Sequence, residues 1–432
     1  MATADLLIRG GRVADPVAGT LEAADVWIRE GRIEHVGEVP ESVDVPVVEA
    51  SGRVVSPGFV DLHVHFREPG QEWKEDIASG SACAAAGGFT TVCVMPNTKP
   101  ALHDRETVRY VVERGREVGL TDVRVIGAVT RDIAGSDLAE IGAMVEAGCV
   151  GFSDDGRPIL DSGVMRRALE YVSQFGVPVI QHAEDCGLTR GGAMNEGAHA
   201  TRMGLGGMPS CAEDIVVSRD LALLEIVDSH LHVAHASTAG TMEMVRRAKA
   251  RASRVTCEVT PHHLLLSHDD VAANGYDANF KMNPPLRSPA DVVALIRACV
   301  DGTVDAVATD HAPHRPDEKE NGFAEAPFGV IGLETALGVT LTALVEPGHM
   351  DLVSALRLLT SGPCEAFGFS DRGRLIPGAR GDVTIFDPDA SYVVDSAQSL
   401  SRSRNTPFEG RRLLGVVHAT VLEGRVVFER SE

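Results

Sequence analysis

The run Val54-Val55-Ser56-Pro57-Gly58-Phe59-Val60-Asp61-Leu62-His63-Val64-His65-Phe66 is apolar over most of its length and ends on two histidines one residue apart, with Arg67-Glu68-Pro69-Gly70 directly behind. In a β-strand alternate side chains share a face, so His63 and His65 project together and can grip one metal ion. Ligand-type residues at the end of a strand place a site at the C-terminal edge of a sheet. An isolated H-x-H is usually two ordinary histidines on one face. What lifts this pair above that reading is that later strand-like runs end the same way.

Those runs are Phe89–Asn97, Asp122–Thr130, Cys149–Gly156, Val177–Asp185, Leu231–Ser237, Arg254–His263 and Val304–His311, with helical segments such as Asp104–Glu113 and Ala290–Arg297 between them. Together with Val54–Phe66 they supply the eight units of a parallel (β/α)8 TIM barrel. An open doubly wound sheet is the alternative, but no G-x-G-x-x-G follows the first strand. The two ends of the chain share a different texture. Leu6–Arg9 and Asp25–Arg29 near the start, and Asp382–Phe386 and Val416–Phe428 near the end, read as short strands broken by glycine turns. The expected α/β architecture is a barrel over residues 55–368 with a small β-sandwich domain built from both termini, 1–54 and 369–432.

At 432 residues the chain has room for a barrel of about 250 residues and one smaller module. The 40 Lys and Arg against 62 Asp and Glu give a formal charge of -22, which argues against nucleic acid or an anionic membrane as partner. A small anionic substrate remains compatible, since a local arginine can reverse the field. Eight scattered cysteines form no C-x-x-C and no evident disulfide framework, as in a reducing cytoplasm. Met1-Ala2-Thr3-Ala4-Asp5 has no basic stretch of an export signal, and no apolar run approaches a membrane span. A cytoplasmic location is expected.

In a barrel all strand C-termini meet at one mouth, so remote positions become neighbours. His63, His65 and Arg67 come from the first strand, Asn97 from the second, Asp154 and Asp155 from the fourth, His182 from the fifth, His235 from the sixth, and Asp310 and His311 from the eighth. Four histidines and two aspartates with no cysteine suit catalytic zinc or manganese, and two metals sharing one carboxylate would use all six groups. Such a pair makes water acidic near neutral pH and polarises a carbonyl. Parity predicts that at most one of His232 and His235 enters the barrel, with His235 favoured and His232 and His230 structural or on the surface. Parity likewise favours Asp310 over His311 as ligand and proton carrier, while spacing leaves Asp154 and Asp155 at even odds.

The motifs Asp61–Glu72, Met95-Pro96-Asn97-Thr98, Gly151–Gly156, Glu258–His263, Lys281–Arg287 and Thr309–His314 resemble those of bacterial dihydroorotases of the amidohydrolase superfamily, and the resemblance runs through essentially the whole chain. It implies two zinc ions per subunit: His63, His65 and Asp310 on one, His182 and His235 on the other, and Asp155 rather than Asp154 bridging. Many amidohydrolases place a carboxylated lysine on strand four. This chain has none there and resembles a branch that uses aspartate. The resemblance also implies substrate contacts from His65, Arg67, Asn97, Asn283, His314, Phe328 and Gly329. An arginine fork suits a carboxylate, and asparagine amides suit a ureido group. A salt bridge from Arg67 to Glu68 or Glu72 is the competing assignment.

The implied activity is the reversible cyclisation of N-carbamoyl-L-aspartate to (S)-dihydroorotate in pyrimidine synthesis, with Asp310 carrying the proton. The rivals are a dihydropyrimidinase, hydantoinase or allantoinase, or a non-catalytic scaffold for aspartate carbamoyltransferase. A homodimer and association of the active subunit with that transferase are further expectations. Residues Pro313–Phe328 are too polar for core and are expected to cover the site, against the plainer reading of a solvated loop.

Overall fold

The computed structural model describes residues 4–39 and 43–431; Met1–Thr3, read above for an export signal, lie outside them. In chain order the strands are β1 (Leu6–Asp15), β2 (Thr20–Arg29), β3 (Arg32–Gly37), β4 (Val47–Glu49), β5 (Val54–Pro57), β6 (Phe59–Val64), β7 (Phe89–Val94), β8 (Asp122–Gly127), β9 (Cys149–Ser153) and β10 (Val179–Gln181). They continue with β11 (Gly192–Asn195), β12 (Gly206–Met208), β13 (Leu231–Val233), β14 (Val255–Val259), β15 (Ala306–Val307), β16 (Val383–Val393), β17 (Arg412–Leu422) and β18 (Arg425–Glu429).

Eight of these form one sheet in the order β6-β7-β8-β9-β10-β13-β14-β15, every neighbouring pair parallel. A parallel bridge between Val64 and His311 closes the ring, with the His65 N–H donating to His311 O at 2.9 Å. Lower in the seam Leu358 O and Leu359 O accept from Val307 and Val60 at 2.8 Å each. Val60, Leu62, Cys93, Met95, Ile126, Ile180, Ala234, Ala306 and Ala308 fill the interior, and Phe367, from the helix Ser361–Phe367, plugs it. The alternate residues, such as Val92, Val125, Val179, Leu231, Cys257 and Val307, face a second apolar layer under the helices. This is the α/β barrel that the strand count predicts.

The run Val54–Phe66, read as one strand, is two strands in two sheets. β5 pairs with β1 and β16, whereas β6 starts the barrel; an apolar run carries no mark of where the chain changes sheets. Gly58 is the crossing point, and a Cβ there would collide with the Thr90 side chain. The terminal strands join one mixed sheet in the order β18-β17-β16-β5-β1-β2-β3, with β4 on β1. Leu6, Ile8, Val26 and Ile28 from one end share a buried cluster with Val383, Ile385, Ala419 and Val421 from the other. Among the described residues no helix is long and apolar enough to cross a membrane.

Candidate active site

The end of β6 does not simply alternate. Val60 and Leu62 point inward, so strict alternation would turn His63 outward. The pairing of β6 with β7 slips between Asp61 and Val64, and such a bulge re-aims the side chains beyond it. His63 and His65 both arrive at the mouth. Asp61 pins the slip, its buried carboxylate accepting the His63 N–H at 3.0 Å and the Thr309 N–H at 3.1 Å. Burial pushes that carboxyl up to about 7 despite these donors.

Six groups converge there. His65 Nε2 and His63 Nε2 lie 3.0 and 3.6 Å from Asp310 Oδ1. Asp155 Oδ1 lies 3.4 Å from His63 Nε2 and 3.6 Å from both His182 Nδ1 and His235 Nε2, which are 2.9 Å apart. Ligands around a tetrahedral zinc with bonds of about 2.0–2.1 Å stand about 3.3 Å from one another, so both triplets have the edges a cation needs. His63 Nε2 and Asp155 Oδ1 are moreover buried, face each other and have no hydrogen-bond partner, a costly state that a shared cation relieves. Burial opposes ionisation of Asp155, but the His63 charge and the neighbouring His182 and His235 rings hold it well below the usual carboxylate range. Asp310 is likewise held down, to about 2, by His65 and His63 against its burial.

Three of the site residues leave the strand conformation to get there. Arg67, His235 and Asp310 have φ of +61°, +31° and +48°, unusual for side-chain-bearing residues and held only where the surroundings insist. This corrects the parity expectation for His232 and His235. Both enter the barrel: His232 packs on Phe367 inside it, and His235 turns toward Asp155 because the chain has left the β region. Asp154 instead accepts the Thr130 N–H at 2.9 Å and the Thr130 hydroxyl, leaving Asp155 at the mouth. His311 faces Gly332 N and Glu75, and His230 meets Thr256.

Behind these six groups stand acids that the strand-end pattern did not single out. Glu258 is buried, accepting from His63 Nδ1 at 2.8 Å and His232 Nε2 at 3.2 Å. This fixes the tautomer that frees His63 Nε2 for a metal. Burial works against its charge, yet His232 and His63 hold it well below the usual range. The signal was present in the outward Val255, Cys257 and Val259, which put Glu258 on the interior face, where an acid needs a partner. Asn97 does the same for His65, its Oδ1 accepting from Nδ1 at 2.9 Å while its Nδ2 donates to Asp155 Oδ2 at 3.1 Å. Glu184 sits 3.1 Å from His182 Nε2 and accepts from Asn283 Nδ2 at 2.7 Å.

Above these six groups opens a cavity of about 380 Å³ lined by His65, Arg67, Asn97, Asp155, His182, His235, Asn283, Asp310, His314, Phe328 and Gly329. All seven residues expected on the substrate are there. Glu68 accepts from Ile77 N and Tyr110 and Glu72 from Gly70 N, so neither takes Arg67, which instead donates to Pro313 O at 3.2 Å. Burial lowers Arg67 to about 10, still a cation at neutral pH. His314 donates from Nε2 to Phe328 O at 2.9 Å, leaving Nδ1 to accept from Lys74 at 3.3 Å. Burial beside Arg67 and Lys74 keeps it neutral. The loop 313–328 is anchored rather than simply solvated, since buried Lys319 donates to Ala278 O, Lys281 O and Pro327 O at 2.9, 3.1 and 2.9 Å.

His199, His268 and Asp269 form a separate cluster with ligand-type atoms close together. Asn195, its oxygen taken by Arg287, donates to His268 Nδ1. The His268 proton therefore sits on Nε2, facing Asp269, and the cluster is accounted for by the contacts of both rings with Asp269.

A parallel barrel with paired histidine and aspartate triplets at its mouth defines the metal-dependent amidohydrolase class. The Amidohydrolase family profile matches residues 334–428. An L-hydantoinase (dihydropyrimidinase) from Arthrobacter aurescens superposes with a TM-score of 0.90 at 26% identity, covering 99% of this chain and 97% of that one. The Dihydro-orotase-like profile matches residues 52–241. A dihydroorotase of Anaeromyxobacter sp. (strain K) is 50% identical over 99% of this chain and 98% of its own, and one of Pelotomaculum thermopropionicum is 48% identical over 98% of each. The chain belongs to the dihydroorotase family of cyclic amide hydrolases.

Proposed function

We propose that the protein catalyses the reversible cyclisation of N-carbamoyl-L-aspartate to (S)-dihydroorotate and water, with two zinc ions held as the sequence resemblance implies. The observation that carries this reading is an arginine with no ion-pair partner among the described residues, Arg67, lining the same cavity as the metal-ligand set. Zinc held there supplies Lewis acidity, making water more acidic and polarising a carbonyl. In the hydrolytic direction Asp310 accepts a proton from the attacking water as the ring C–N bond weakens, then delivers it to the departing ring nitrogen. In the reverse direction Asp310 takes a proton from the ureido nitrogen as it attacks the side-chain carboxylate and returns it to the departing carboxylate oxygen, which leaves as hydroxide and becomes water with a proton from solvent. Arg67 holds the α-carboxylate so that the reacting atoms stay close, and the walls around Phe328 and Gly329 limit water.

The structural likeness to hydantoinases makes hydantoin the informative competitor. No lysine occurs in Gly151–Gly156, and Arg67 has work only on a carboxylate-bearing ring. The test is to purify the chain, measure its metal, and assay ring closure of carbamoyl aspartate beside hydantoin and allantoin hydrolysis, with and without aspartate carbamoyltransferase, the proposed partner of a proposed homodimer. Zinc-replete protein that fails the first assay under both conditions would sink the reading.

A further inference from the structure

Asn405 lies between β16 and β17, in a segment no strand-end argument singles out, and is almost fully buried. Its side-chain oxygen accepts the His314 N–H at 3.1 Å, and its Nδ2 donates to Ala312 O and Gly329 O at 3.0 Å each. Its backbone oxygen accepts the Ile331 N–H at 3.0 Å. Ala312 and His314 flank Pro313, whose carbonyl is the acceptor of Arg67 Nε at 3.2 Å. The Gly329 carbonyl follows Phe328 O, the acceptor of His314 Nε2. Thus one amide brackets the peptide that orients Arg67 and ties it to the one that orients His314.

The segment also grips the opposite loop. Ser403 Oγ donates to Lys74 O at 2.9 Å, and the Arg402 N–H donates to Glu75 at 3.2 Å. Gly329 fits the same clasp, with φ of +131° and an added Cβ meeting that of Ala312 at 2.8 Å.

We propose that Asn405 is a positioning residue for the substrate's carboxylate: through backbone contacts alone it sets Arg67, His314 and Gly329 in one register. This rests on the reaction proposed above. Asn405 touches no metal ligand, so its loss should misplace the carboxylate clamp while leaving the metal site whole. The variants are Asn405→Ala, which removes all three side-chain bonds, and Asn405→Asp, which keeps the acceptor for His314 but turns an oxygen toward two carbonyls.

In the full-length protein both variants should raise KM for carbamoyl aspartate on the order of 10- to 100-fold, the scale of about 1 Å of misplacement. In both, kcat should stay within about 3-fold and zinc content should match the wild type. Unchanged KM, or a joint fall of kcat and zinc content, overturns the proposal. A second measurement needs no turnover: trypsin cleavage after Lys319, within the loop 313–328, should be faster in Asn405→Ala well below its melting temperature, and unchanged cleavage overturns the clasp. Wild-type protein that cannot close the ring would bring down the reaction, while the cleavage result would still judge the clasp.

Discussion

Replacing Glu258 by methionine removes the acceptor that steadies His63 and the one that takes His232, while conserving length. The two bonds, 2.8 Å from His63 Nδ1 and 3.2 Å from His232 Nε2, end on a buried charge, and such bonds are each worth roughly 1.5–3 kcal/mol. Folding stability is a blunt readout here, because methionine also relieves the cost of burying that charge. Metal affinity is the sharp one. Without its acceptor His63 can carry its proton on Nε2, the atom facing Asp155 and Asp310, and must give up that preference whenever it binds a cation. Loss of such an outer partner weakens metal binding about 10- to 100-fold, or roughly 1.4–2.7 kcal/mol. Glu258→Gln should fall between, since the amide oxygen can keep the shorter bond to His63 and sacrifice the longer one to His232. Zinc competition against a chromogenic chelator, with circular dichroism to confirm folding, reads the order wild type, Gln, Met. A folded Glu258→Met protein binding zinc within about twofold of wild type would refute the reasoning.

Arg67→Met should cost about 2–5 kcal/mol of kcat/KM for carbamoyl aspartate, the price of leaving a carboxylate unpaired in a buried pocket, and steady-state kinetics with zinc content unchanged reads it. Asp155→Asn should abolish turnover and lower zinc stoichiometry, whereas Asp154→Asn keeps an acceptor for the Thr130 N–H and should stay active, costing no more than about 1.5 kcal/mol in urea unfolding. Burial and the Lys281 charge lower Lys319 from its ordinary 10.5 to about 7. Between those values the unfolded chain binds the extra proton, so the Lys319 contribution to stability rises with pH. Unfolding at pH 7 and about pH 9.5 should show wild-type protein gaining on Lys319→Met; an equal response in both would contradict this.

The barrel was legible because its strands carry apolar runs that end in polar residues, and Val60 and Leu62 show how alternation finds the interior face. Alternation lost its hold where the backbone stopped being strand. His235 escaped it through a positive φ, and His63 reached the mouth only by a bulge. Asp154 and Asp155 lie past the end of β9, so only the Thr130 contact separates them. Glu258 was readable in principle as an acid on an inward face. Asn405 was not, since its partners are backbone groups of distant loops and any turn-forming asparagine looks the same.

The clasp made by Asn405 has a consequence for how the enzyme comes into being. The ribosome delivers β1–β5 first, yet Val55 finds its partner Ile385 only near the end of synthesis, and pairings so distant in sequence form slowly. The pocket wall waits longer still. A nascent chain from which His63, His65, Asp155, His182, His235 and Asp310 have all emerged still lacks the amide that ties Ala312, His314 and Gly329 together.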